Sequence, residues 1–218
     1  MSGTPSAKAG ESNARAALLD ATARLMAEEG YAAVSTRKVA AKAGVNHALV
    51  YYYFRTMDEL FLAVFRRGAE ANLRRLERAR ASDHPLQAMW AVVTDPKGAA
   101  LTQEFIALAN HRDSVRTELA MYAQRFRRMQ VEMIEDFVKV RGVDTGGLSP
   151  TALTILMGGL PRILAMDDVL GLTEGHDEVL ALVELYLRRF DGPLTADGPA
   201  ADGTASDDET APDAAASA

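Results

Sequence analysis

Residues 35–54 read STRKVAAKAGVNHALVYYYF, and the rest of the chain is best understood outward from them. Ser35 or Thr36 opens a short helix that closes at Ala43, with Gly44 as its stop. Asn46 is a good N-cap for a second short helix ending near Tyr53. Two short helices across a glycine-containing turn is the helix-turn-helix plan. From Tyr31 to Met57 the chain carries Arg37, Lys38, Lys42 and Arg55 but no Asp or Glu, which predicts an electropositive face. Tyr51, Tyr52 and Tyr53 point in different directions around a helix. Some must therefore be exposed, where a phenol can hydrogen-bond phosphate oxygens. The competing reading is a basic helical hairpin packed for structure alone, and spacing by itself does not separate the two.

Upstream, Ala14, Leu18, Ala21, Thr22, Leu25 and Met26 recur at three and four residues, the mark of an amphipathic helix. Gly30 fits its C′ position. Downstream, Thr56-Met57-Asp58-Glu59 has capping-box form and opens a long helix through Phe61, Val64, Phe65, Leu73 and Leu76. Ser82 to Pro85 breaks the chain before a helix with Leu86, Met89, Trp90 and Val93. Asp95 to Gly98 breaks it again before Leu101–Asn110. The longest helix spans about 113–140, near 42 Å at about 1.5 Å per residue. Ser149-Pro150 supplies an N-cap and an N1 proline for the next, in which Pro161 is expected to make a kink. The last helix runs from about His176 to Phe190. No strand pattern appears, so the expected fold is all-α, with about nine helices. The expected divisions are a flexible N-terminal arm (1–13), a three-helix head with the helix-turn-helix (14–60), a helical body (61–190) and a disordered acidic tail (191–218).

The overall charge looks wrong for a nucleic-acid binder: 24 Lys and Arg against 30 Asp and Glu, a formal net of −6 over 218 residues. The acids are concentrated at one end. Asp191, Asp197, Asp202, Asp207, Asp208, Glu209 and Asp213 lie in a stretch without Lys or Arg, and outside it the two signs nearly balance. The tail is read as inert solubilising chain, with a polyanion that weakens non-specific DNA binding as the alternative. No cysteine is present, which removes thiolate chemistry and Cys-based metal sites. His47, His84, His111 and His176 form no i, i+4 pair, and neither a P-loop nor G-x-G-x-x-G occurs. Asp167-Asp168 reads as a solvated helix end. No enzyme, cofactor or metal is expected. The opening residues lack an apolar core for a secretory signal, and no stretch reaches the roughly 18 apolar residues of a membrane span. The expected location is the cytoplasm.

The head resembles the TetR family of transcriptional repressors. The resemblance rests on Gly30-Tyr31, Ser35-Thr36-Arg37-Lys38-Val39-Ala40, Ala43-Gly44-Val45, Val50-Tyr51-Tyr52-Tyr53-Phe54 and Thr56-Met57-Asp58-Glu59-Leu60. It covers about residues 14–66 at motif level. It implies a scaffold of Val39, Ala40, Val45, Val50 and Phe54, with Thr36 and Arg37 on a phosphate. Asn46 opens the recognition helix, on which His47, Ala48 and Leu49 would face base edges, with His47 the hydrogen-bonding reader or, as the alternative, a phosphate contact only. Tyr51 and Tyr52 would contact phosphates or thymine methyls, and Arg55 would add a charge on the backbone. Two positions depart from the family pattern: Met57 stands where a lysine is common, and Leu49 replaces a small or hydroxylated residue. Apolar readout of a thymine methyl is expected at Leu49.

The same resemblance implies a small lipophilic effector held among helices five to seven. Trp90, Phe105, Leu108, Tyr122, Phe126, Met129 and Met133 have the apolar character for that pocket, and Asn110 and His111 are candidates to orient the ligand. Ordinary core is the competing reading of the same stripe. The last two helices present Leu153, Leu156, Leu160, Val179, Leu182, Val183, Tyr186 and Phe190 as a dimerisation surface. The whole predicts a homodimeric repressor on a pseudo-palindromic double-stranded operator. A DNA-binding protein without effector is the first alternative, and a helical carrier or enzyme the second.

Overall fold

Side-chain caps set where most helices begin. Ser35, Asn46, Thr56, Asp95 and Ser149 each accept a backbone N–H from the first turn that follows. The computed structural model describes residues 5–193. In order these are α1 (Pro5–Glu29), a 3-10 turn (Tyr31–Ala33), α2 (Thr36–Ala43), α3 (His47–Tyr53), α4 (Met57–Arg80), α5 (Pro85–Val93), α6 (Pro96–Ala109), α7 (Asp113–Arg141), α8 (Pro150–Leu170) and α9 (His176–Asp191). Among the described residues there is no strand, and the fold is all-α. Gly44 ends α2 at φ +66°, the left-handed conformation in which a Cβ is penalised. The capping box at α4 is shifted: Thr56 accepts from Glu59 N–H, but the Glu59 carboxylate reaches Arg55 N–H at 2.8 Å instead of the cap residue.

Two helix starts differ from expectation. Helix α1 starts at Pro5, inside the segment read as a flexible arm, whose residues 1–4 lie outside the described chain. Proline suits a first helical turn, and the Ala, Lys and Glu that follow are good helix formers that need no apolar stripe. Helix α6 starts at Pro96 rather than Leu101, because Asp95 caps it and Pro96 occupies its first turn.

The core forms two clusters. The first joins Leu18, Leu25 and Met26 of α1, Val39 and Ala40 of α2, Val50 of α3, Phe54, and Leu60, Phe61, Val64 and Phe65 of α4. It continues without a break into Phe105, Leu108 and Ala109 of α6 and Val115 of α7. Head and body therefore share apolar contacts across residue 60. Phe65 meets Phe105 edge-on at 5.1 Å and Tyr122 at 5.5 Å. Burial pushes the Tyr122 phenol above its ordinary pKa, against the pull of the Asn72 amide that donates to it at 2.8 Å. The second cluster gathers Leu76, Ala79, Met89, Met133 and Ile134. Helices α4 and α7 run through both, so they are the frame that connects the head to the far end.

That far end is closed by Asp191. It belongs to the last turn of α9 and is 2% exposed, although its charge placed it with the tail. Its carboxylate accepts Gln87 N–H at 2.9 Å in the first turn of α5, and its carbonyl accepts from His84 Nδ1 at 2.6 Å. Gln87 also donates its amide to the carbonyls of Gly192 and Pro193. Burial raises the Asp191 carboxyl pKa, while the Gln87 N–H and the nearby His84 act the other way. The described body thus reaches Pro193. The remainder of the acidic tail lies outside the described residues.

Candidate nucleic-acid interface and apolar cleft

Burial orients the two short helices. Val39, Ala40, Val50 and Phe54 point into the first core, with Val45 packed against it. What remains outward is Arg37, Asn46, Ala48, Tyr51, Tyr52 and Arg55, while Thr36, His47 and Leu49 are half-buried. Tyr51 is 56% exposed and Tyr52 69%, so two of the three tyrosines face solvent. Polar groups expected to meet a ligand are partly engaged with one another. His47 Nε2 lies 2.8 Å from the Thr36 hydroxyl, and the Tyr51 hydroxyl 3.4 Å from that same oxygen. The His47 and Tyr51 rings meet edge-on at 5.1 Å. Asn46 spends its Oδ1 on the Ala48 N–H at 2.8 Å.

The charge of this face is smaller than the sequence window predicts. Lys38 pairs with Glu29 at 2.7 Å, and Lys42 pairs with Glu28. The Glu29 carboxyl is held below its ordinary pKa, chiefly by the Lys38 hydrogen bond. These acids close α1, where carboxylates oppose the helix dipole, and they precede the acid-free window in sequence while bordering it in space. Arg37 and Arg55 form no ion pair among the described residues. The face carries two free guanidiniums rather than four cations. It is tied to the body where Tyr31 N–H donates to Glu104 of α6 at 2.7 Å.

The sequence pattern described as bacterial regulatory proteins, tetR family, matches residues 18–64. The head carries the tetR-family pattern. Over 55 residues the chain is 47% identical to an HTH-type transcriptional repressor of Mycobacterium tuberculosis, a match covering 25% of this chain and 29% of that protein. It therefore spans less than a third of that relative's length. The all-α fold is shared more widely. A TetR transcription regulator from Haloarcula marismortui superposes with a TM-score of 0.67 at 19% identity, over 82% of this chain and 98% of the other. The transcriptional regulator FadR of Bacillus subtilis, solved with stearoyl-CoA, gives 0.61 at 17% identity, over 82% and 99%.

Behind the TetR-family head the body holds an apolar cleft of about 650 Å³ between α5, α7, α8 and α9. Of the residues expected to enclose a ligand, Trp90 lines it. Phe105 and Leu108 lie in the first core, and Met133 in the second. Tyr122 packs on the first core, and Phe126 and Met129 on the second. Asn110 and His111 are exposed beyond the end of α6. The lining comes instead from residues such as Leu86, Phe137 and Val138, and from most of the stripe expected to form the dimer surface. Leu153, Leu156, Leu160, Leu182, Val183, Tyr186 and Phe190 all face the cleft, whereas Val179 does not. Outside it, α8 and α9 leave Ile155, Ile163, Met166 and Leu185 at least half exposed. Each of these helices is apolar on two sides, and a single stripe drawn from periodicity merges them. Asp167 and Asp168 flank His176 at 3.6 and 3.4 Å. Among the described residues no group of three His, Asp or Glu is placed to hold a metal. No described helix is long and apolar enough to cross a membrane.

Proposed function

We propose that the chain is a dimeric transcriptional repressor that grips a pseudo-palindromic operator through two TetR-family heads and releases it when a small lipophilic molecule enters the cleft. The observation that carries this reading is the outward face of α2 and α3. Ala48, Tyr51 and Tyr52 stand clear of the core, with Arg37 and Arg55 free. On the major groove, the guanidiniums and phenols would bind phosphates and fix register, and the apolar Ala48 and Leu49 would meet thymine methyls. Two such helices must lie about 34–36 Å apart to enter successive grooves. The exposed apolar faces of α8 and α9, Ile155 and Ile163 among them, would supply the surface for a second copy.

The effector reading rests on the cleft. Its lining is mostly hydrocarbon, with Asp144, Thr145, the Trp90 indole N–H and the Tyr186 hydroxyl as the side-chain polar groups. Arg141 stacks over the Phe137 ring and Arg189 over Phe190, both at 5.8 Å. Ring faces already covered by guanidinium are poor sites for a cationic ligand. An acyl chain suits this lining, and FadR, which shares the fold, was solved in complex with stearoyl-CoA. Helices α5 and α7 line the cleft and both pack on α4, which begins beside the recognition helix. A ligand releases DNA only by preferring one conformer, and each tenfold loss of operator affinity needs about 1.4 kcal/mol of such preference.

The test is a gel shift on the DNA upstream of the chain's own gene. Arg37→Ala with Tyr52→Ala should abolish the shifted band, and a long-chain fatty acid should release it from the unaltered protein. Retained binding by the double variant refutes the proposed face. Indifference to a series of fatty acids and fatty alcohols refutes the effector.

A further inference from the structure

We infer that His47 is a positioning residue that aims the hydroxyls of Thr36 and Tyr51 at the nucleic-acid backbone, and does not itself read a base. The inference rests on the DNA-binding reading above and deepens it. His47 opens α3 and Thr36 opens α2, so their contact locks the two helices of the motif at the edge that meets the ligand. The 2.8 Å separation of His47 Nε2 from Thr36 Oγ1 engages one of the two ring nitrogens in a contact within the motif. The other face of the arrangement is set by the edge-on contact with the Tyr51 ring, one turn later in α3.

The hydrogen count gives this contact a consequence. The Thr36 hydroxyl has one hydrogen and two lone pairs. When Nε2 carries no hydrogen, Thr36 donates to it, so the one Thr36 hydrogen is turned inward and only lone pairs are left for other partners. When Nε2–H donates to Thr36, the Thr36 hydrogen is released: it can go to a phosphate oxygen directly, or to the Tyr51 oxygen 3.4 Å away, which leaves the Tyr51 hydrogen to point at the phosphate. A ligand rich in acceptors selects the second arrangement. Affinity then passes through His47, while base preference stays with the exposed Ala48 and the half-buried Leu49.

The experiment selects bound sequences from a random double-stranded library and measures affinity for the winner. The full-length proteins are wild type, His47→Phe, His47→Gln, Thr36→Val and the double variant Thr36→Val with His47→Phe. Phenylalanine keeps a ring beside Tyr51 but removes the nitrogen. Glutamine can place an N–H close to where Nε2 stood. Losing a hydrogen bond that supports a charged partner is expected to cost about tenfold in affinity. His47→Phe and Thr36→Val should each show that loss, the double variant should lose no more than either, and His47→Gln should recover most of it. The selected sequence should be the same for all five. A base reader behaves differently: glutamine pairs with adenine, so His47→Gln would move the preference toward adenine at one position of each half-site. That shift, or losses that multiply in the double variant, overturns the inference. Matching thermal melts separate a folding defect from a binding one, and Thr36→Val tests the same contact from the other side. Wild-type protein that retains no sequence at all would refute the DNA-binding reading itself, an outcome distinct from a changed preference.

Discussion

Replacing Phe105 with alanine separates core from pocket at one position. Phe105 sits on α6 and is 2% exposed, edge-on to Phe65 of α4 in the cluster that also holds the head. As a core residue its truncation should cost about 3–5 kcal/mol, the usual range for a buried Phe→Ala change. For a body of this size that lowers Tm by roughly 6–20 °C. The cluster is continuous, so head and body should lose structure together. Urea unfolding at fixed protein concentration, followed by far-UV circular dichroism and by Trp90 fluorescence, tests both points, since Trp90 is the single tryptophan. A destabilisation under about 1 kcal/mol would mean that the site relaxes or was open to a ligand. Two separated transitions would mean that the shared core does not couple the head to the rest, and either result refutes the argument.

Three further outcomes are expected. A fatty acid entering the cleft should alter Trp90 emission, and Leu156→Glu, on a partly exposed lining position, should abolish that change while leaving the melt near wild type. Ile163→Glu, on the outer face of α8 at 54% exposure, should give monomers in sedimentation velocity and weaken operator binding; an unchanged dimer places the interface elsewhere. Asp191→Asn should alter the pH profile of stability. The native carboxyl is raised above its ordinary value near 3.8, so the unfolded chain releases its proton first. Wild type therefore loses stability as pH rises between those two values. The variant should gain on wild type across that window in urea melts from about pH 3 to about pH 7, and parallel profiles would refute the assignment.

Much of the fold is written locally. Ser35, Asn46, Thr56 and Ser149 act as caps within three residues of the atoms they bind, and Gly44 stops α2 by its own φ. Such devices survive in a one-dimensional reading, which explains why the helix order and the two-helix motif are legible. The exposed tyrosines are legible for the same reason, because adjacent positions on a helix cannot all face inward. What escapes is set by pairs distant in sequence. Glu28 and Glu29 neutralise Lys42 and Lys38 from another helix. Asp191 stands among tail acids by charge, yet it caps a helix more than a hundred residues upstream. Phe105 and Leu108 have the same chemistry as Trp90, and only the packing of α6 against the head separates core from cleft lining. Apolarity alone carries no information about which side of a wall a residue faces.

The pairing of Lys38 and Lys42 also bears on how the chain would move along a chromosome. Non-specific attraction to duplex DNA comes from counterions released as cations meet phosphates, and its logarithm falls with log salt by about 0.9 per phosphate neutralised. A dimer using only Arg37 and Arg55 of each head would show a slope near −4, against about −7 if the four lysines also took part. The shallower slope means little time parked on random sequence and rapid exchange between sites. Occupancy of the operator would then depend on the fit of α3 to the groove and on the spacing of the heads, quantities that a bound effector can change far more readily than it can change charge.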